Sequence, residues 1–151
     1  MRRRWAFVIA AACAASIAAG ATGGASDHSL SGYVGAYNCT AGNDHYTTTI
    51  SSQLDGRAIR VDSHASYADS EYTITFVPQR DVYIAEYVDS RGGYETMEGK
   101  RAGNSIDYRE VYPGKTDTMV ESLPSGNMFS EVYTTMSNGK SQSLHESCTK
   151  R

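Results

Sequence analysis

The segment Tyr72-Thr73-Ile74-Thr75-Phe76-Val77, followed by Val82-Tyr83-Ile84-Ala85-Glu86-Tyr87-Val88, decides the fold. Both runs alternate with a period of two and are rich in β-branched and aromatic side chains. That pattern predicts strands, not helices. The same alternation continues through residues 105–112, 128–136 and 141–148. It is weaker in residues 33–40, 46–54 and 57–66. Between the runs lie Asp55-Gly56, Gly92-Gly93, Gly103-Asn104, Pro113-Gly114, Gly126-Asn127 and Asn138-Gly139. Gly and Asn tolerate the positive φ of tight hairpins. No gap is long enough for a crossover helix, so consecutive strands should pair antiparallel. The expected fold is all-β: an antiparallel up-and-down β-barrel of about eight to ten strands. Closure removes the exposed edges; a two-sheet sandwich is the alternative.

The amino terminus is of another kind. Arg2, Arg3 and Arg4 precede an uncharged, Ala-rich run from Trp5 to Ala19, and small residues follow to Ala25. A positive start, a short apolar core and a small-residue exit are the parts of a secretory signal. The run is shorter than the ~20 apolar residues of a membrane span, so no stable membrane anchor is expected. Residues 1–25 are thus expected to be a signal peptide and 26–151 a single β-barrel domain, periplasmic or extracellular, secreted by a bacterium.

Cysteine use agrees. Cys13 leaves with the signal, and Cys39 and Cys148 remain near the two ends of the domain. One cysteine pair in an exported protein reads as a disulfide bond. The four histidines, His28, His45, His64 and His145, are scattered singly, and no metal site is expected. Without its three signal arginines the chain keeps 11 Lys+Arg (14 − 3) against 17 Asp+Glu, a net charge near −6. No basic stripe survives to meet nucleic acid, and the acidic surface suits a cationic protein partner. There is no Gly-x-Ser-x-Gly elbow, phosphate-cradling glycine loop or calcium loop. No cofactor and no catalytic residue is assigned; the reading leans against an enzyme and leaves open an active site assembled across strands.

The strand faces point to a binding site. Tyr72, Ile74 and Phe76 share one face. Ile106, Tyr108 and Tyr112 share another, with Glu110 among them. Val82, Ile84 and Val88 share a third, with Glu86 among them; the inverted register would instead put Tyr83 and Tyr87 inside and Glu86 in water. With these faces inward, Tyr72, Ile74, Phe76, Glu86, Tyr108, Glu110 and Tyr112 line a lumen. Its two carboxylates would then grip the polar end of a ligand.

Two resemblances bear on this expectation. The run from Tyr83 to Tyr94, then Glu98-Gly99 and the Gly103-Asn104 turn, resembles the central hairpins of calycin-like barrels. Leu30-Ser31-Gly32-Tyr33-Val34-Gly35 resembles their Leu-x-Gly-x-Trp opening, with Tyr33 in place of Trp. Lipocalins, avidins and fatty-acid carriers of that group bind small molecules inside the barrel, and nitrobindin-like members bind haem through a histidine in the last strand, where this chain has His145. The resemblance implies binding of a small apolar or amphipathic molecule in the lumen. Tyr37-Asn38-Cys39-Thr40-Ala41-Gly42 is similar to the Tyr-x-Cys-x-x-Gly opening of periplasmic C-type lysozyme inhibitors, also small disulfide-closed barrels. It implies the alternative, a protein-interaction module such as an inhibitor of a cationic cell-wall hydrolase.

Overall fold

The computed structural model describes residues 28–151, so the expected signal peptide lies outside the described residues. Ten strands follow one another: β1 (Gly35–Ala41), β2 (Asp44–Gln53), β3 (Ala58–His64), β4 (Asp69–Val77), β5 (Val82–Asp89), β6 (Tyr94–Ala102), β7 (Ser105–Tyr112), β8 (Thr118–Ser122), β9 (Met128–Ser137) and β10 (Lys140–Lys150). Each pairs antiparallel with its chain neighbours, and β10 returns to β1, so the sheet closes into an up-and-down barrel. Two strands, β6 and β8, join the eight runs read from the sequence, five of them sharp and three weaker. In β6 the outward positions mix Tyr94, Thr96, Glu98 and Lys100, so no clean apolar and polar alternation shows, and β8 has only five residues.

The seam between β1 and β10 carries the expected disulfide. Cys39 and Cys148 face each other in register, with Cα atoms 4.1 Å apart. Both sulfurs lie on the buried inner side of the barrel. The covalent link therefore joins the first strand to the last where closure depends on chain ends meeting.

One end of the barrel is filled. The segment before β1 makes a single 3-10 turn, Ser31–Tyr33, and buries Leu30 and Tyr33 against the lumen. The Tyr33 hydroxyl donates to the Ser122 carbonyl at 3.0 Å, and the Tyr37 hydroxyl donates to the Tyr33 carbonyl at 2.7 Å. Tyr33 and Tyr37 both meet Phe129 edge-on, with centroids 5.6 and 5.0 Å apart. Ile50, Ile59, Ile74 and Ile106 pack into the same core. His28 stacks on Phe76 at 3.9 Å and hydrogen-bonds the Tyr83 hydroxyl, closing this end from below.

The expected face of β5 is reversed. Ile74 pairs with Ala85, Tyr72 with Tyr87 and Phe76 with Tyr83. Directly opposed residues share a face, so Tyr83, Ala85 and Tyr87 point inward and Glu86 stands exposed on the outer wall. The reason is the turn. Val77 faces Val82 across residues 78–81, so even-numbered residues of β4 meet odd-numbered residues of β5.

A second correction concerns Tyr112. Met97 pairs with Glu110 but Thr96 pairs with Tyr112, so Val111 is an extra residue on β7. This β-bulge resets the alternation. Tyr112 turns outward at the rim, 57 % exposed, with its ring edge-on to Tyr94.

Candidate functional site: an acidic, tyrosine-lined cup

Above the filled end the lumen opens into a cup of about 460 Å³. Its mouth lies among the β3–β4, β5–β6 and β7–β8 connections, which contribute Ala65, Tyr67, Ala68, Arg91, Gly93 and Lys115. Its walls are Tyr46 of β2, Tyr72 of β4, Ala85 and Tyr87 of β5, Glu95 and Met97 of β6, Met119 of β8, Glu131 and Tyr133 of β9, and Leu144 and Glu146 of β10. A cavity of this size accommodates a small organic molecule. It exists because small residues stand on inward positions. Ala85 and Ser63 leave space where a larger side chain would meet the opposite wall.

The expected site residues divide among three places. Tyr72 lines the cup, and Glu110 turns its carboxylate into the barrel interior. Ile74 and Phe76 belong to the filled end, and Tyr108 is buried in the core beneath the cup. Glu86 and Tyr112 lie on the outside, so neither can serve as a lumen residue.

Three further acidic residues of the barrel interior escaped the sequence reading; Glu131 and Glu146 line the cup and Glu121 lies beneath it. Glu121, Glu131 and Glu146 form a row across three adjacent strands, Glu121 opposite Glu131 and Glu131 opposite Glu146. Glu121 is the deepest, 1 % exposed. Neither of its carboxylate oxygens has a hydrogen-bond partner among the described residues, and the same is true of Glu110 and of the Tyr108 hydroxyl. A signal for one member was present: Glu146 has the same parity as Cys148, whose side chain must reach the seam.

Burial pushes the Glu121 carboxyl up to about 8, and the charge of Glu146 adds to the push. The nearby Tyr108 and Tyr33 hydroxyls oppose the shift without closing a hydrogen bond of ordinary geometry. Glu131 is raised well above the usual carboxylate range by burial, then by Glu146, Glu121 and Glu95. Glu146 is raised by burial and partly relieved by the Tyr46 hydroxyl. Like charges at this spacing in a shielded interior disfavour joint ionisation. Protons or a cation must make up the difference.

Nearer the mouth, Glu95, Glu110 and Asp117 bring carboxylate oxygens within 4.8 Å of one another. The Tyr133 hydroxyl lies 3.0 Å from both Glu95 Oε2 and Asp117 Oδ2 and shares its proton between them. The Met136 amide donates to Asp117 Oδ1 at 3.2 Å. Glu95 is raised by burial, with Tyr133 opposing. The basic side chains that line the cup, Arg91 and Lys115, both sit at its mouth. Arg91 is held by Asp89, which also accepts the amides of Arg91 and Gly93 at 2.9 and 2.8 Å. The Arg91 guanidinium, followed by these amides, lowers the Asp89 carboxyl to about 2. Asp89 therefore shapes the β5–β6 turn at the rim and is not a free acid of the cup.

Fold and site together define a disulfide-seamed, ten-stranded antiparallel barrel with one filled end and one acidic, tyrosine-walled cup. No protein-family model matches the chain, and no curated protein matches it.

Proposed function

We propose that this is an exported binding protein that holds a small amphipathic molecule in the open half of its barrel. One observation carries the proposal: the interior is divided between a filled end and a cup of about 460 Å³. Closing a barrel for stability alone favours a filled lumen, because interiors pack to near-crystalline density. A cup walled by Tyr46, Tyr72, Tyr87 and Tyr133 offers flat apolar faces with hydroxyls at their edges, suited to a molecule with both apolar and polar parts. The closed meander also supports kinship with calycin-like barrels, which bind their ligands in this place. Export rests on the amino-terminal signal pattern, and the seam disulfide agrees with an oxidising destination.

Native mass spectrometry of the protein purified from its own host tests the proposal. Wild-type protein should carry an added small mass, and Ala85→Phe, which fills the cup from its wall, should lose it. Wild-type protein free of any bound mass, with no ligand taken up from host extract, would count against a lumen-binding role.

The second reading, a protein-interaction module, draws on different residues. Tyr67, Tyr94 and Tyr112 stand about half exposed around the mouth, and aromatic side chains are enriched at protein interfaces. A partner recognised there, such as a cationic hydrolase, would bind more weakly after Tyr94→Ala and at high salt. The Ala85→Phe change inside the cup would leave that binding intact.

A further inference from the structure

We propose that the ligand of the cup is an organic ammonium ion. Its charged head would lie between Glu131 and Glu146, with Glu121 behind them, and its apolar body against the rings of Tyr72 and Tyr87. The inference rests on the lumen-binding reading and adds the chemical class of the ligand.

The first observation is the register. Three glutamates occupy consecutive opposed positions on β8, β9 and β10, all turned inward. Opposed like charges weaken a strand ladder, and burial raises the cost. Such a row has no value to the fold by itself, since apolar residues at these positions would pack without that cost. The second observation is independent of the row's charge: both oxygens of Glu121 are buried and unpartnered among the described residues. A buried acceptor without a donor marks a place where a donor is missing. No lysine or arginine of the cup supplies one, because Arg91 is tied to Asp89 and Lys115 stands at the mouth.

Geometry separates an ammonium ion from a metal. A calcium or magnesium ion gathers oxygens at ~2.0–2.6 Å, so its ligands crowd within a few ångströms of one another. The carboxylate trio with that convergence is Glu95, Glu110 and Asp117, and the row of Glu121, Glu131 and Glu146 does not share it. An alkylammonium group donates its N–H bonds at ~2.7–2.9 Å, is held by two carboxylates without a third converging, and brings an apolar body for which a metal ion has no counterpart. Tyrosine faces attract cations through the ring quadrupole; Tyr46 stands at Glu146, and Tyr72 and Tyr87 line the cup from β4 and β5, across the lumen from Glu131 and Glu146. In the Glu95 trio the Tyr133 hydroxyl serves Glu95 and Asp117 and the Met136 amide serves Asp117, while Glu110, like Glu121, keeps two unpartnered oxygens; the calcium arm of the titration addresses that trio.

Isothermal titration calorimetry of the mature protein at pH 7.5 tests this. The probes are phenethylamine, spermidine and choline, with 2-phenylethanol as a neutral match and calcium chloride as the metal arm. At least one amine should bind tenfold or more tightly than 2-phenylethanol. Glu131→Gln and Glu146→Gln should each weaken it at least tenfold and leave the alcohol within twofold. Both changes remove a buried charge without changing side-chain shape, and the thermal midpoint of each variant shows that it folds. If either variant fails to fold, the other carries the test. Equal binding of alcohol and amine, unmoved by the Gln variants, overturns the ammonium assignment and leaves lumen binding standing. Calcium that binds and excludes every amine overturns it in favour of a metal. Binding of none of the probes, charged or neutral, overturns the assignment together with the lumen-binding reading.

Discussion

Glu131 on β9 and Glu146 on β10 are opposed residues in the barrel ladder, and both face the cup. Burial raises both carboxyls, and the charge of Glu146 raises Glu131 further. The row continues to Glu121 on β8, whose carboxyl is pushed up to about 8. A fold that places three acids side by side in its interior is poised to take up positive charge, whether as protons or as a bound cation.

The pH dependence of stability follows from that row. The folded protein holds the Glu121 proton up to about pH 8, whereas an unfolded glutamate releases it near 4.5. The folded state binds more protons across that window, so stability is highest below pH 4.5 and falls as pH rises towards 8. Asp89, lowered to about 2, acts in the opposite sense, but only at lower pH. Thermal unfolding should therefore give a higher midpoint at pH 5 than at pH 8. Glu121→Gln should raise stability at pH 8 by up to about 4 kcal/mol and flatten the profile. A wild-type midpoint that climbs from pH 5 to 8 would contradict the buried acid row.

The seam disulfide closes a loop with a sequence separation of 109 residues. Loop-closure entropy for that length gives at most ~4–5 kcal/mol, and measured values are often lower. The double change Cys39→Ser with Cys148→Ser should lower unfolding stability by about 3 kcal/mol, measured by urea titration under oxidising conditions. A change below ~1 kcal/mol would mean that strand pairing alone holds the seam.

Gly99 and Tyr108 are opposed on β6 and β7, and the tyrosine ring covers the glycine. A Cβ at position 99 would lie 2.4 Å from Tyr108 Cδ1 and 2.9 Å from Ile106 Cγ2. Gly99→Ala should cost about 2 kcal/mol through overpacking. Adding Tyr108→Leu should recover part of the loss, which a double-mutant cycle would read. Full additivity of the two changes would show that the ring is not what the methyl group meets.

Glu86 and Tyr72 separate the outer wall from the cup. Glu86→Ala should change stability by less than ~0.5 kcal/mol, as exposed positions do, and leave ligand uptake unaltered. Tyr72→Ala, on the inner wall, should abolish retention of the native ligand while the disulfide still forms. Loss of ligand on Glu86→Ala would reverse the assignment of faces on β5.

Much of the architecture is determined by local chemistry, and for that reason it is legible in the sequence. Alternation in residues 72–77, 82–88 and 105–112 is strong enough to name strands, and Gly and Asn at the turns dictate short antiparallel connections. Cys39 and Cys148, the two cysteines among the described residues, determine the seam that joins the first strand to the last. The direction each face takes is a different matter. Both faces of β5 carry apolar residues, so alternation cannot choose between them. The choice passes to the opposed pairs with β4, which follow from the length of the turn at residues 78–81. Tyr112 needed knowledge of the bulge at Val111, a one-residue irregularity that shows only when β6 is laid beside β7. The acid row is the clearest case. Glu121, Glu131 and Glu146 are 10 and 15 residues apart in the chain and look like ordinary surface acids. Only the register of three strands puts them side by side, because barrel closure, not sequence spacing, decides which residues share the interior.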